Sequence, residues 1–144
     1  MSVGLCSADQ LAATITSWVG DTGTSYAHVT ATNHSSASCN MRGTAEARIV
    51  DGSGAVIADA GQGAARVLPT DPIYPLASGA SINTIVQWAN WCGATKPGQN
   101  VTVGFGLPFG LGDFTALANG KAPIPDCISS AGSGPLVSSE AWLP

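Results

Sequence analysis

The residues of this chain that could do chemistry are few and widely spaced: Cys6, Cys39, Cys92 and Cys127, His28 and His34, nine acids and a scatter of serines. The histidines fall on a strand pattern and on the loop after it. A metal site built on them would need carboxylates from elsewhere, and the cysteines offer no C-x-x-C pair of close thiolate ligands. Two solvated histidines, with no metal and no cofactor, are expected. A serine nucleophile needs a positioned base, and no Gly-x-Ser-x-Gly turn exists to present one. Glycoside hydrolysis needs two converging carboxylates. Asp21, Asp51, Asp71 and Asp113 all sit in turn contexts, where a carboxylate closes local backbone hydrogen bonds instead. No enzyme is expected, and a hydrolase with an unrecognised carboxylate site ranks third among the readings.

Four cysteines spread through a poorly charged chain read as two disulfides, and disulfides place folding in an oxidising compartment. Of the three connectivities, pairing of sequence neighbours, Cys6–Cys39 and Cys92–Cys127, is favoured. Each closes a loop of roughly 35 residues, worth about 3.5–4 kcal/mol through chain entropy. The competitor is a Cys39–Cys92 bridge across two sheets, as in immunoglobulin domains. Those place a core tryptophan about a dozen residues past the first cysteine; here Val50-Asp51-Gly52-Ser53 is a turn.

The aromatic residues are the better candidates for contact. In Trp88-Ala89-Asn90-Trp91-Cys92 the spacing puts the tryptophans on opposite faces of a continuing strand, with Trp88 in the core and Trp91 outside. Trp18, Tyr26 and Trp142 fall on the nominally polar faces of their strands. Exposed rings on a β domain stack on the apolar faces of sugars or fill protein contacts. Trp18, Tyr26, Trp91 and Trp142 are therefore the candidate binding surface. Asn33-His34-Ser35 and Asn100-Val101-Thr102 match the acceptor pattern for N-glycosylation.

The elements that must position these residues are strands. Leu11, Ala13, Ile15 and Val19 alternate with polar residues, and so do Ala27, Val29 and Ala31. Ala45, Ala47 and Ile49 form an inner face with Glu46 and Arg48 outward. Asp51-Gly52-Ser53-Gly54 signals a hairpin into Ala55-Val56-Ile57. A short strand is expected at Arg66-Val67-Leu68, and further strands at Ile82 to Trp88, Val101 to Leu107, Phe114 to Leu117 and Leu136 to Ala141. The biased stretch 104–113 reads as a strand end and a close-packed loop; a phosphate cradle would need a following helix. About eight short strands without a helix make an antiparallel sandwich or barrel, one domain spanning residues 1–144.

Only 10% of the residues are charged, against about 25% in typical domains. The five cations are scattered and the formal net charge is −4, so nucleic acid, which binds clustered cations, is not an expected partner. No run of about 18 apolar residues provides a transmembrane helix. Residues 1–5 lack the basic and apolar regions of a signal peptide; an exported domain would have lost its leader before Met1.

Several pieces together resemble a family of secreted bacterial domains of unknown function, number 4232. They are Cys6, Thr30-Ala31-Thr32-Asn33 and Cys39-Asn40-Met41-Arg42-Gly43. Ile49-Val50-Asp51-Gly52-Ser53-Gly54 and Leu76-Ala77-Ser78-Gly79-Ala80-Ser81 follow. Trp88-Ala89-Asn90-Trp91-Cys92-Gly93, then Cys127 and Gly134-Pro135-Leu136-Val137-Ser138, complete the set. The resemblance implies an immunoglobulin-like β-sandwich outside the cytoplasm, with paired cysteines and no assigned activity. The expected function is a non-catalytic structural or adhesive module, secreted or at the cell surface, that contacts surface proteins or itself, as an envelope or filament subunit would. A glycan-binding module with polysaccharide as partner is the alternative.

Overall fold

Alternation of small or branched apolar residues with polar ones builds most of the molecule. The computed structural model describes residues 4–21, 24–51, 56–60, 64–89, 101–118 and 136–144. Its strands are β1 (Leu11–Asp21), β2 (Thr24–Asn33), β3 (Cys39–Met41), β4 (Glu46–Asp51) and β5 (Val56–Asp59). They continue with β6 (Tyr74–Leu76), β7 (Ser81–Ala89), β8 (Val101–Gly106), β9 (Asp113–Ala118) and β10 (Leu136–Ser139). No α-helix occurs among the described residues. Eight strands form one sheet, in the order β10-β7-β2-β1-β9-β8-β4-β5, while β3 and β6 make a separate ribbon. The large sheet curls until β10 lies against β4 and β5 near its other end. Its inner face thus closes around one core of Ile15, Val29, Ile49, Ile82, Trp88 and Phe105, among others.

The inward alternation follows the sequence on β2, β4 and β7, and Trp88 is buried as expected. Three features differ. β1 and β9 run parallel, Ala13 opposite Ala116, so the sheet is mixed rather than antiparallel. Alternation says which face a residue takes, not which strand lies beside it or in which direction. Arg66-Val67-Leu68 forms no strand; a single bridge joins Thr44 to Arg66. A bulge between Ile15 and Ser17 leaves Thr16 without a partner in the β1–β2 register.

Trp142 requires the largest correction. It is not a surface platform: only 2% of it is exposed. After β10 the chain bows away from β7 and returns at the bridge between Leu143 and Asn83. Trp142 turns inward at the bow. Its ring lies 5.6 Å from Phe105 and 6.4 Å from Phe114, centroid to centroid, and the backbone N–H of Trp142 donates to Gly43 O at 3.1 Å. Burying so large a ring outweighs the polar pattern of its neighbours.

The glycines of β8 have a concrete use. Arg48 lies over them on the outer face, its Nη2 3.5 Å from Glu46 Oε2 and 3.6 Å from Asp113 Oδ1. A Cβ on Gly106 would stand 2.7 Å from that nitrogen, and one on Gly104 3.0 Å from Arg48 Cγ. Glu46 and Asp113 thus converge on a cation and not on a cleft.

Cys6 and Cys39 form a disulfide with their Cα atoms 4.8 Å apart. The favoured first pairing stands, and the Cys39–Cys92 bridge is excluded because Cys39 is already joined. Cys92, Cys127, Trp91 and Asn100 lie outside the described residues.

Candidate functional site

A β domain with little charge has few polar side chains with which to cover its surface, so the apolar residues it leaves in water are informative. Among the described residues, the large ones are Val56, Leu68, Ile73, Phe109 and Leu143. Leu68, Ile73 and Phe109 meet along one groove of about 510 Å³. Leu5, Val67 and Pro69 extend its apolar lining, and among the described residues Arg42 is the one charged residue along it.

The disulfide lays the groove's floor. It fastens the N-terminal segment to β3, where Leu5 bridges Asn40 in parallel, Cys6 N–H donates to Asn40 O and Asn40 N–H donates to Gly4 O, both at 2.9 Å. One wall is the turn from Leu68 to Asp71. Asp71 does there what its turn context predicts: its carboxylate accepts from Leu68 N–H at 2.7 Å, and its own N–H donates to Leu68 O at 3.0 Å. Arg42 clasps this turn from below, donating from Nε to Asp71 O at 2.8 Å and from Nη2 to Pro69 O at 3.2 Å. Part of the guanidinium's hydrogen-bonding capacity is therefore spent on the carbonyls of this turn.

The opposite wall is the loop between β8 and β9. Leu107 N–H donates to Gly112 O at 2.9 Å, and Ala8 N–H to Leu111 O at 2.8 Å, so the loop is tied at both ends. Inside it, Phe109 has φ 61° and ψ 29°, the left-handed region that costs a residue with a Cβ about 1–2 kcal/mol. Its side chain is nevertheless 74% exposed. Neither core burial nor turn preference accounts for a phenylalanine in that backbone state; asparagine or glycine would sit there more comfortably.

Among the described residues, none lining the groove is a histidine, cysteine, serine or carboxylate. Its described lining is mainly apolar, with Asn40 and Arg42 as the polar side chains, so the groove is suited to burying an apolar group.

The residues singled out in the sequence lie elsewhere. Trp18 pairs with Ala27 across β1 and β2, and Tyr26 with Gln87 across β2 and β7; Tyr26 is half-buried. His28 is on β2 and His34 in the loop beyond it. At about 3.3 Å of rise per residue they stand roughly 17–20 Å apart along the chain, too far to share an ion. Among the described residues no three His, Cys, Asp or Glu side chains gather where they could hold a metal. Phe109 went unnoticed in the sequence, although Leu107-Pro108-Phe109-Gly110 carried a signal: an aromatic residue between turn formers has no strand face on which to hide.

Asn33 also differs from its sequence reading. It is fully buried, its Nδ2 donating to Ala37 O at 2.8 Å and to Leu76 O at 3.0 Å. Its Oδ1 accepts from Ser35 N–H at 3.0 Å and from Ser35 Oγ at 2.7 Å. Both amide hydrogens are used, so the nitrogen that would carry a glycan is closed off.

No helix of the described structure is long and apolar enough to cross a membrane. No curated protein and no solved structure matches the chain. The family model described as Domain of unknown function (DUF4232) matches residues 6–117, from the stapled cysteine through β9, and the chain belongs to that family.

Proposed function

We propose that the protein is a non-catalytic, extracellular contact module that grips another protein chain through the groove of Leu68, Ile73 and Phe109. One observation carries this reading: Phe109 is held in a costly backbone conformation with its ring in solvent. Strain retained at an exposed site points to use of that site. The low charge and the buried disulfide support an oxidising environment outside the cytoplasm. With Cys39 engaged, Cys92 and Cys127 remain as the second pair. The curl that brings β10 against β4 and β5 supports reading the large sheet as two facing halves of an immunoglobulin-like sandwich. The partner is a surface protein or a second copy of this chain. A glycan platform made of tryptophans loses Trp142 to the core.

Phe109→Asn tests the reading, because asparagine tolerates the left-handed conformation. The variant should be as stable as the native protein or more stable by about 1 kcal/mol, yet lose contact. Sedimentation velocity over a concentration series should show association of the native chain and none in the variant. A photoreactive side chain at position 109 should cross-link to protein. A native chain that stays monomeric, together with no cross-link to any protein on intact cells, would refute the proposal.

A further inference from the structure

A second concavity lies on the outer face of β1, β2 and β7, away from the groove. The outward residues described on these strands form uncharged rows, with Thr14, Thr30 and Asn83 in one register line and Ala12, Thr32 and Ser81 in the next. No Lys, Arg, Asp or Glu is among them; the ion pairs of Arg48 sit on the other half of the sheet. A cleft of about 290 Å³ crosses this face. Two irregularities frame it. On one side is the bulge at Thr16, on the other the bow of the chain after β10 that carries Glu140 and Leu143. Bulges bend a sheet and re-aim its side chains, which is why they gather next to sites.

The cleft's polar groups stand on held backbone or are anchored at one atom, and are available. Thr30 Oγ1 donates to Asn83 Oδ1 at 2.8 Å, so the Asn83 amide must present its N–H hydrogens elsewhere. The backbone of Glu140 is held by its N–H donating to Ile85 O at 3.0 Å and by Thr84 Oγ1 donating to its carbonyl at 2.7 Å. Among the described residues, nothing engages the Glu140 carboxylate, the His28 ring or Asn83 Nδ2. Ile85 and Leu143 add apolar surface beside them.

We infer that this cleft binds an uncharged sugar residue of a glycan. A sugar ring needs what is collected here: a carboxylate to accept from neighbouring hydroxyls, an amide N–H to donate, and an aliphatic surface for its C–H face. An anion would meet the Glu140 carboxylate, with no Lys or Arg among the described lining residues. A cationic ligand would find a single exposed carboxylate, which holds little. The volume is at the small end of ligand sites and suits one ring, with both ends of a chain running out over the open threonine rows. The site is separate from the apolar groove and does not rest on its reading.

The test is titration of the native protein with cello-, malto-, manno- and chitotetraose, followed by amide NMR shifts and calorimetry. At least one should bind and move the signals of His28, Asn83 and Glu140. Asn83→Ala and Glu140→Gln, both exposed and expected to melt as the native protein does, should each weaken binding by about tenfold or more. High salt and Phe109→Asn should leave it unchanged. Absence of shifts at these residues with all four sugars at millimolar concentration overturns the inference. So does binding that survives both substitutions, or that salt abolishes.

Discussion

Asn33 shows how one side chain takes opposite readings in sequence and in structure. Three letters, Asn-His-Ser, read as a glycan acceptor on a loop. In the fold the same amide clips the β2–β3 loop to β6, satisfying the carbonyls of Ala37 and Leu76 and the N–H of Ser35. Nothing local announces this, because Leu76 lies 43 residues away. Asn33→Ala leaves the buried Leu76 O unpaired, at about 1–3 kcal/mol, and removes the part-buried bonds to Ala37 and Ser35, so a loss of about 2–4 kcal/mol is expected in denaturant unfolding. Folded protein made in a glycan-attaching host should carry no glycan at Asn33 by peptide mass, and a modified Asn33 in folded material would contradict the buried amide. Gly43 is a second such residue. Its φ is +83°, and a Cβ there would run into the carbonyl oxygen of Arg66. Because that neighbour is backbone and cannot swing aside, Gly43→Ala should cost well over 1 kcal/mol, a Gly→Ala change working against its usual sign.

At the scale of elements, what was legible followed from period-two alternation, and what was not followed from length and direction. β2, β4 and β7 bury the residues their patterns nominate. β3 and β6 are three residues each, too short to show a period, and Pro75 opposite Asn40 is tolerated because the backbone N–H and C=O of Asn40 bond to the N-terminal segment and need nothing from Pro75. The disulfide makes that ribbon worth having. It ties the N-terminal segment to β3 across 33 residues and so fixes the groove's floor. Replacing both Cys6 and Cys39 by serine should therefore lower stability by about 3.5–4 kcal/mol, roughly 10 °C in melting temperature. Association through Phe109 should weaken in parallel. Unreduced peptide mapping should return Cys6 linked to Cys39 and, on the proposed pairing, Cys92 linked to Cys127. A melting temperature unmoved by the double replacement would mean that the ribbon holds without its staple.

For the molecule as a whole, the decisive event is closure of the sheet. β10 ends the chain's long path by pairing with β7, while Ser139 Oγ donates to Ala45 O at 2.6 Å across to the segment that leads into β4. Trp142 then drops onto Phe105 and Phe114, whose own rings lie 5.2 Å apart. Three aromatic rings and a few hydrogen bonds thus join β10 and the segment after it to β8, β9 and the start of β4. Their partners are far apart in sequence, which is why the sequence, scored strand by strand, placed Trp142 outside. Trp142→Ala should cost about 3–5 kcal/mol, the usual loss for a buried large ring, whereas Trp142→Phe should recover most of it by refilling the space. The loss should also be local before it is global. In hydrogen exchange, the amides of β10 and of Trp142 and Leu143 should open early while those of β1 and β2, sealed on both sides, stay protected. Uniform loss of protection would instead show that closure and core form one cooperative unit. The same substitution should loosen the bow bearing Glu140 and so weaken sugar binding, with the Phe109 groove left working.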